Sequence, residues 1–262
     1  MPVVLYRSPE LLAIDKPSGI SLLADRSGAA CLWDEMREYL RADGLEPLSV
    51  HRIDKGTSGV LLVALTRETQ SRLTQAFARR DVRKFYVARV VGDPRLGGRS
   101  GMIDLPLAKG RKSRYRVAGS RERIGRERNR WYLASRPDGH PSVSRLRCIA
   151  ADRDHSLLAL QPITGRTHQL RVHLAWIGHP ICGDRLYGRP DDPAQRWPRL
   201  ALHCHRIVVD GLTITAPLPR DELVPVVGKP RARGGKPERR DARTARQREQ
   251  RSARDETADP RA

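Results

Sequence analysis

Short apolar runs separated by turn-forming residues set the pattern of this chain. VVLY at 3–6 and LLAI at 11–14 predict two strands, and DKPSG at 15–19 predicts the turn that follows them. Further strands are predicted at 60–65, 84–92, 144–150 and 156–163. The last apolar runs, RLALHCHRIVV and LTITAPLP, predict a terminal hairpin.

Three helices are predicted from apolar residues at helical spacing. The first covers 31–42, and the second follows Thr66 as its N-cap and runs to about Arg79. The third follows Thr167 as its N-cap and ends at Gly178–Pro180. The inward-facing residues of the three helices are, in turn, Leu32, Met36, Tyr39 and Leu40; Leu73, Ala76 and Phe77; and Leu170, Leu174 and Ile177.

The chain carries a large excess of positive charge. Its 262 residues include 50 Lys and Arg against 30 Asp and Glu, which gives a net charge of +20. Such a charge favours a polyanionic partner, either nucleic acid or an anionic membrane. No apolar run approaches the roughly 20 residues that a membrane span needs, and the N-terminus lacks the order of a signal peptide. We therefore expect a cytoplasmic protein with a nucleic-acid partner and no membrane contact.

Cysteine usage bears on redox compartment and on metal binding. The chain has four cysteines and no C-x-x-C pair: Cys31, Cys148, Cys182 and Cys204. This spacing fits a reducing compartment and argues against a zinc ribbon or a disulfide framework. Alternation along a strand would turn His203 and His205 to one face and Cys204 to the other. Three such groups do not converge on one ion, so no metal site is expected.

Residues 109–136 differ from the rest of the chain in charge. They hold 11 Lys or Arg against two Glu, with Tyr115, Trp131 and Tyr132 interleaved. One interpretation is a solvated loop. The other is a nucleic-acid contact surface, in which cations meet phosphates and aromatic rings stack on bases. We favour the second, because so much like charge in one place otherwise repels itself.

One stretch places a carboxylate among basic residues. In HRIDKGTSG (51–59), Asp54 lies between Arg52 and Lys55, and a glycine-rich turn leads into the apolar run VLLVAL. A solvated salt bridge is the simple interpretation. The alternative is a nucleophile or general base that its neighbours hold ionised. The glycines favour the alternative, because they let the backbone approach a ligand closely.

Two distant residues could complete such a site. Arg166 stands just before the third predicted helix, in GRTHQLR, and an arginine within about 4–6 Å would keep a partly desolvated Asp54 ionised. Tyr86 lies on a predicted strand with Lys84 and could present its ring to a planar ligand. Each of these residues alone could equally be structural.

Three ordered segments give the chain a family resemblance. HRIDKGTSGVLLVAL, KFYVARV and TGRTHQLRVHLAWIGHPICGDRLYG closely resemble the three motif blocks of RluA-type RNA pseudouridine synthases. LLAIDKPSGI resembles the usual start of that family, and RLALHCHRIVV with ITAPLP resembles its ending. The resemblance covers about residues 3–225.

The resemblance implies one α+β catalytic domain over residues 1–227. Its long, mixed, mostly antiparallel sheet would carry helices and loops around a central RNA cleft. Asp54 would be the catalytic aspartate, Tyr86 would stack on the target uracil, and Arg166 would pair with the aspartate. We further expect RNA or substrate contacts at Arg52, Leu170, His51, Thr57, Lys112 and Arg114. His51, His168 and His173 are not expected to act as ligands, because positions five apart do not share a helix face, and we expect structural roles for them apart from the contact named for His51.

The implied reaction converts uridine to pseudouridine in ribosomal and/or transfer RNA. The base leaves the ribose at N1, rotates and rejoins it through C5, without a redox change or an added atom, so no cofactor or metal is expected. An ionised Asp54 could attack ribose C1′ or uracil C6, or take the proton from C2′, and the sequence leaves these three routes open. The target must also leave its stack, at a cost of a few kcal/mol.

Many members of that family carry a small RNA-binding domain before the catalytic one, and we expect this chain to be a compact member without it. RNA affinity would then come from the catalytic domain, including a basic RNA-contacting insertion at 109–136. The tail, 228–262, is basic, has almost no apolar residues and is predicted to be disordered. The family's HRLDR appears here as HRIDK, where Lys55 keeps the charge but loses the planar fork of arginine. We expect a monomer.

Two competing functions remain. A non-catalytic RNA-binding or ribosome-assembly factor could use the same scaffold, but it needs no desolvated acid, so Asp54, Tyr86 and Arg166 together argue against it. A metal-dependent hydrolase or nuclease is disfavoured, because the sequence lacks clustered carboxylates or histidine pairs at ligand spacing.

Overall fold

The predicted strands pair with one another in the computed structural model of the chain. The structure describes residues 1–24, 31–111, 114–134, 138–188, 194, 197–219 and 223. The strands are β1 (Val3–Arg7), β2 (Leu11–Lys16), β3 (Leu48–Ser49), β4 (Ser58–Ala64), β5 (Arg83–Val91), β6 (Ser100–Asp104), β7 (Leu107–Lys109), β8 (Tyr115–Val117), β9 (Ile124–Glu127), β10 (Arg130–Leu133), β11 (Val143–Ala151), β12 (His155–Pro162), β13 (Leu202–Val209) and β14 (Leu212–Thr215). The helices are α1 (Leu32–Leu40), α2 (Arg67–Arg79) and α3 (Gln169–Trp176).

Twelve of the described strands form one sheet. Its order is β1-β2-β4-β13-β5-β12-β11-β6-β10-β9, with β3 paired to β4 and β14 paired to β13. The pairs β4/β13 and β6/β10 are parallel, and the others are antiparallel. The strands β7 and β8 form a separate hairpin. The expected α+β fold on a long, mixed, mostly antiparallel sheet is confirmed.

The helices lie close to their predicted positions. The Thr66 hydroxyl accepts the backbone N–H of Thr69 at 3.2 Å, so Thr66 is the N-cap of α2, a contact worth about 1 kcal/mol. Helix α3 begins at Gln169, and His168 takes the N-cap position that was predicted for Thr167. The reason is the left-handed backbone of His168, with φ 57°, which a right-handed helix cannot include.

Hydrophobic clusters cover both faces of the sheet around β4. Alternation along this strand sends Leu61 and Val63 into the cluster with α1 and sends Val60 and Leu62 into a larger cluster that includes Leu73 of α2. A strand buried on both faces reads as a continuous apolar run, which is why VLLVAL was recognisable. Helix α1 buries four side chains, each worth roughly 1.5–3 kcal/mol.

Strands occupy much of the basic segment 109–136, which the sequence pattern did not predict. This segment holds β8, β9 and β10, and the last two form one edge of the main sheet. The guanidinium of Arg126 lies over the ring of Trp131 at 4.4 Å, and Trp131 is buried. The apolar stem of an arginine can cover an aromatic ring where an apolar residue would otherwise do so. The alternation of apolar and polar residues that predicts a strand is then missing from the sequence.

The domain boundaries at 1–227 and 228–262 stay a prediction. The first compact unit of the chain spans Met1–Gly228. The predicted disordered tail, 228–262, lies outside the described residues.

Candidate active site

Asp54 lies ahead of a tight turn that leads into β4. The N–H of Thr57 donates to the Asp54 carbonyl oxygen at 2.9 Å, and β4 begins at Ser58. Gly59 has a φ of +106°, and a Cβ placed on it would lie 2.3 Å from the carbonyl oxygen of Cys204 on β13. Only glycine lets β4 approach β13 this closely, so Gly59 helps to set the position of the turn and of Asp54.

Lys16 fixes this turn from β2. Its side chain is fully buried, and its Nζ donates to the carbonyl oxygens of Pro17 at 2.8 Å, Lys55 at 3.1 Å and Thr57 at 2.9 Å. An ammonium group has three donors, so all three are used. Burial lowers the pKa of Lys16 to about 8, although the nearby charge of Asp54 opposes the shift.

The turn forms one wall of a pocket, and the other walls come from β5, β13 and the segment that leads into α3. The described residues that line the pocket are Arg52, Ile53, Asp54, Thr57, Lys84, Tyr86, Pro162, Thr164, Gly165, Arg166, Thr167, His168, Gln169, Leu170, Arg171 and Leu202. The three residues that the sequence named as catalytic therefore line one pocket, although they come from distant segments.

An ion pair holds Asp54 inside this pocket. Arg171 Nη1 donates to Asp54 Oδ2 at 3.0 Å, and the same guanidinium donates from Nε and Nη2 to the two carboxylate oxygens of Asp184, each at 2.8 Å. Burial by itself lowers the pKa of Arg171, but the hydrogen bonds and charges of Asp184 and Asp54 outweigh it and raise the pKa. Arg171 is thus a permanent cation that holds the Asp54 side chain by a charge-assisted hydrogen bond.

The structure corrects the predicted pairing of Asp54 with Arg166. Among the described residues, Arg171 is the ion partner of Asp54, and the His168 ring lies farther away, with its Nε2 3.8 Å from Asp54 Oδ2. Arg166 is exposed at the pocket rim, in the non-helical segment before α3, whereas Arg171 lies within α3, which turns it toward Asp54. Both arginines occur in GRTHQLR, and sequence spacing alone could not rank them.

Asp184 was not singled out in the sequence, yet it anchors the site. Its side chain is only 1% exposed. Its Oδ1 accepts the backbone N–H groups of Leu186 at 3.0 Å and Tyr187 at 3.1 Å. Together with the two bonds from Arg171, these contacts fix both the guanidinium and the turn that carries Tyr187. The available signal was an acid within the third motif block, in GDRLYG.

His168 lines the pocket from the position before α3. The sequence predicted only a structural role for this residue. Its Nδ1 lies 2.8 Å from the Tyr187 hydroxyl, and its Nε2 lies 3.8 Å from Asp54 Oδ2. The Tyr187 hydroxyl also accepts the backbone N–H of Tyr115, on β8, at 2.9 Å. Burial lowers the pKa of His168, against the opposing effect of Asp54, so the neutral imidazole is favoured.

Tyr86 presents its ring to the pocket from β5, next to Lys84. Tyr86 is buried, its hydroxyl is hydrogen-bonded to Cys204, and burial, followed by the Cys204 contact, raises its pKa well above the ordinary value. Burial also raises the pKa of Cys204 to about 12. Both groups are therefore neutral near pH 7, and Tyr86 offers a flat apolar ring.

The remaining predicted contacts lie in different places. Arg52 is exposed at the pocket rim, and Thr57 and Leu170 are buried in the pocket wall. Arg114 is exposed on the β7–β8 hairpin, outside the pocket-lining set. Lys112 lies outside the described residues.

His51 has structural contacts in place of the predicted RNA contact. It is not among the residues that line the pocket. Its Nε2 accepts the backbone N–H of Leu62 at 2.9 Å, its ring stacks on Phe77 with centroids 4.6 Å apart, and burial lowers its pKa to about 3. His173 is likewise structural: it is buried, and its Nε2 lies 2.9 Å from the carbonyl oxygen of Leu105.

Three further observations concern the described residues as a whole. They include no group of three or more His, Cys, Asp or Glu side chains placed to hold a metal ion. None of their helices has the length and apolar character needed to cross a membrane. None of the four cysteines, all of which are among them, forms a disulfide.

Comparison with known proteins decides the family. A family model described as RNA pseudouridylate synthase matches residues 10–176. The chain belongs to this family. The matched region of this pseudouridine synthase includes the turn after Asp54, the strand with Tyr86 and the helix with Arg171. All of the residues that line the pocket except Leu202 therefore lie within the shared part of the chain.

Individual relatives agree with this assignment. The dual-specificity RNA pseudouridine synthase RluA of Escherichia coli strain K12 is 35% identical over 216 residues, which cover 82% of this chain and 87% of that one. An RNA pseudouridine synthase of Zymomonas mobilis is 34% identical over 223 residues, which cover 83% of this chain and 94% of that one. The structure of human RNA pseudouridylate synthase domain containing 4 shares the fold, with a TM-score of 0.69 at 24% identity over 84% of this chain and 89% of that one. This pseudouridine synthase is thus an RNA-modifying isomerase of the RluA type.

Proposed function

We propose that this pseudouridine synthase isomerises specific uridines in ribosomal and/or transfer RNA, with Asp54 as its catalytic carboxylate. The observation that carries the proposal is the Arg171 cation, which binds Asp54 at 3.0 Å in a pocket that Tyr86 also lines. The name of the Escherichia coli relative, a dual-specificity enzyme, supports more than one kind of RNA substrate.

The reaction exchanges two bonds on one ribose. The N1–C1′ bond breaks and leaves its electron pair on the uracil, the C1′–C5 bond forms, the hydrogen on C5 leaves as a proton, and N1 gains a proton. An attack of Asp54 on C1′ or on C6, or removal of the C2′ proton, each needs an ionised carboxylate held close to the sugar. Arg171 holds this carboxylate in one orientation through the 3.0 Å contact, whichever route operates.

The pocket walls suit a uracil that has left its stack. Flipping the base out costs a few kcal/mol, and stacking on an aromatic side chain returns about 1–3 kcal/mol. Tyr86 gives the pocket a phenol ring, and Leu170 adds an apolar surface. Arg52 lies at the exposed rim, which supports a contact with the RNA around the flipped nucleotide.

The exposed basic residues of segment 109–136 supply the part of RNA binding that does not depend on RNA sequence. Arg111 and Arg114 are exposed at the turn of the β7–β8 hairpin, and the hairpin contacts the pocket through Tyr115. We propose that the protein acts as a monomer. Four cysteines without a disulfide support a reducing compartment, which we propose to be the cytoplasm.

The test replaces Asp54 by asparagine, which keeps the size of the side chain and removes its charge. Ribosomal and transfer RNA from a strain that lacks the protein, complemented with wild type or Asp54→Asn, is mapped with carbodiimide. We expect one or more pseudouridines to return with wild type and with the control Arg37→Gln, on the exposed face of α1, but not with Asp54→Asn. If every pseudouridine returns in the strain that carries Asp54→Asn, the catalytic role of Asp54 is refuted. Restored growth without pseudouridine would instead support the non-catalytic assembly role.

A further inference from the structure

One polar atom in the pocket has no role in the chemistry described so far. His168 Nε2 faces Asp54 Oδ2 at 3.8 Å, which is too long for a hydrogen bond. Asp54 Oδ2 already accepts from Arg171 at 3.0 Å. His168 lines the pocket, and its side chain is 17% exposed. Its Nε2 is therefore within reach of a bound base.

The Tyr187 hydroxyl determines which nitrogen of His168 carries the proton. This oxygen accepts the backbone N–H of Tyr115, which can only donate. The one hydroxyl proton then has His168 Nδ1, at 2.8 Å, as its acceptor among the described residues. If Nδ1 carried the proton instead, the hydroxyl proton would lose this acceptor, and the Nε2 lone pair would face the Asp54 carboxylate. Both effects place the imidazole proton on Nε2.

We propose that His168, neutral and protonated on Nε2, is a further catalytic residue that donates a hydrogen bond to O2 of the target uracil, with Tyr187 as the positioning residue that fixes its tautomer. The proposal rests on the proposed placement of the uracil beside Asp54. O2 is chosen over O4 because it lies next to N1, and Asp54 must act at C1′, C2′ or C6, all close to N1. O4 lies on the far side of the ring.

This contact would strengthen as the reaction proceeds. When the N1–C1′ bond breaks, its electron pair remains on the uracil and its negative charge spreads from N1 to O2 and O4. A fixed donor at O2 stabilises this charge more than it stabilises the neutral starting base. Protonation of N1 and loss of the C5 proton then neutralise the ring, and His168 ends in its original state. No proton needs to leave His168.

Two substitutions of His168 separate the donor from the structural role. Asparagine tolerates the left-handed backbone and can still meet Tyr187, but it does not reach the Nε2 position. Glutamine places an amide N–H near that position. With RNA from the deletion strain labelled with [5-³H]uridine, we expect His168→Asn to lower the single-turnover tritium-release rate about 10- to 100-fold. His168→Gln should lie between wild type and His168→Asn. RNA affinity, from filter binding, should change less than the rate.

Tyr187→Phe tests the positioning role. It should lower the rate less than His168→Asn does, and it should add little in the His168→Asn background, because both changes act through one contact. Additive losses would overturn the role of Tyr187. Thermal melting of every variant shows whether a lower rate reflects unfolding.

A substrate change tests the choice of O2. An oligonucleotide that spans the mapped site carries 2-thiouridine or 4-thiouridine as the target, because sulfur accepts hydrogen bonds weakly. We expect 2-thiouridine to slow wild type more than it slows His168→Asn, and 4-thiouridine to slow both equally. The opposite pattern would overturn the assignment to O2. If folded His168→Asn matches wild type while Asp54→Asn is inactive, the inference fails and the proposed function stands. If Asp54→Asn is active, the proposed function itself fails.

Discussion

Arg171 joins two carboxylates that differ in accessibility. Its Nη1 binds Asp54 Oδ2 at 3.0 Å, while Nε and Nη2 bind Asp184 at 2.8 Å. Asp184 is 1% exposed, whereas Asp54 is 18% exposed. The buried carboxylate thus holds the guanidinium in place, and the other remains open to the pocket. This arrangement separates the group that positions the cation from the group that meets substrate.

Loss of the Arg171 charge should affect both stability and catalysis. Arg171→Met leaves Asp184 buried without its ion partner, and we expect the free energy of unfolding to fall by about 3–5 kcal/mol, measured by urea denaturation. Single-turnover tritium release should also become undetectable in the folded variant. Arg171→Lys keeps the charge but cannot make three directed bonds, so its stability and rate should lie between those of Arg171→Met and wild type. A wild-type rate in Arg171→Met would contradict the assigned partner of Asp54.

The buried ammonium of Lys16 should make the rate depend on pH. Its pKa is about 8 in the folded chain, against an ordinary 10.5, and the neutral amine has two N–H donors for three carbonyl oxygens. We expect the rate to fall as pH rises through about 8, because the turn after Asp54 loosens. Between pH values of about 8 and 10.5, Lys16 is more often protonated in the unfolded chain than in the folded one. The free energy of unfolding therefore rises with pH across that window.

The matched variant for this prediction is Lys16→Met. It leaves three carbonyl oxygens without their donor, at about 1–3 kcal/mol each, and should lower both rate and stability. Its rate should show no inflection near pH 8. Persistence of the inflection in Lys16→Met would assign it to another group.

The β7–β8 hairpin should contribute to the salt dependence of RNA binding. If about six phosphates are contacted, the log–log slope of affinity against salt is about −4 to −5. The double substitution Arg111→Gln and Arg114→Gln should make the slope less negative by about two, and Arg37→Gln should leave it unchanged. Filter binding across a range of salt concentrations measures this. An unaltered slope in the double variant would remove the hairpin from the RNA-binding surface.

Cys204 should be inert in the native protein. It is buried, its pKa is raised to about 12, and only the thiolate reacts with iodoacetamide. At pH 8 we expect native protein to be labelled first at Cys148, the partly exposed cysteine, and Cys204 only after unfolding in urea. Mass spectrometry of tryptic peptides reads both sites. Rapid native labelling of Cys204 would show that the contact between Tyr86 and Cys204 opens.

Much of the fold followed from local patterns. The apolar run after Gly59 and the capping residue Thr66 gave β4 and α2, because burial on both faces and an N-terminal cap leave direct traces in the sequence. The strands within 109–136 left no such trace. Their exposed arginines, such as Arg126 over Trp131, replace the apolar residues that would otherwise reveal alternation.

The sequence by itself determined the motif blocks, and with them the family, the catalytic candidate Asp54 and the ring of Tyr86. The tertiary structure decided which arginine contacts Asp54 and that Asp184 holds this arginine in place. It also decided that His168 faces the Asp54 carboxylate. The physical reason is that an ion pair depends on where each side chain is directed in space. Arg166 and Arg171 share one short motif, but only the second lies within α3, which carries it to a carboxylate more than a hundred residues away in the chain.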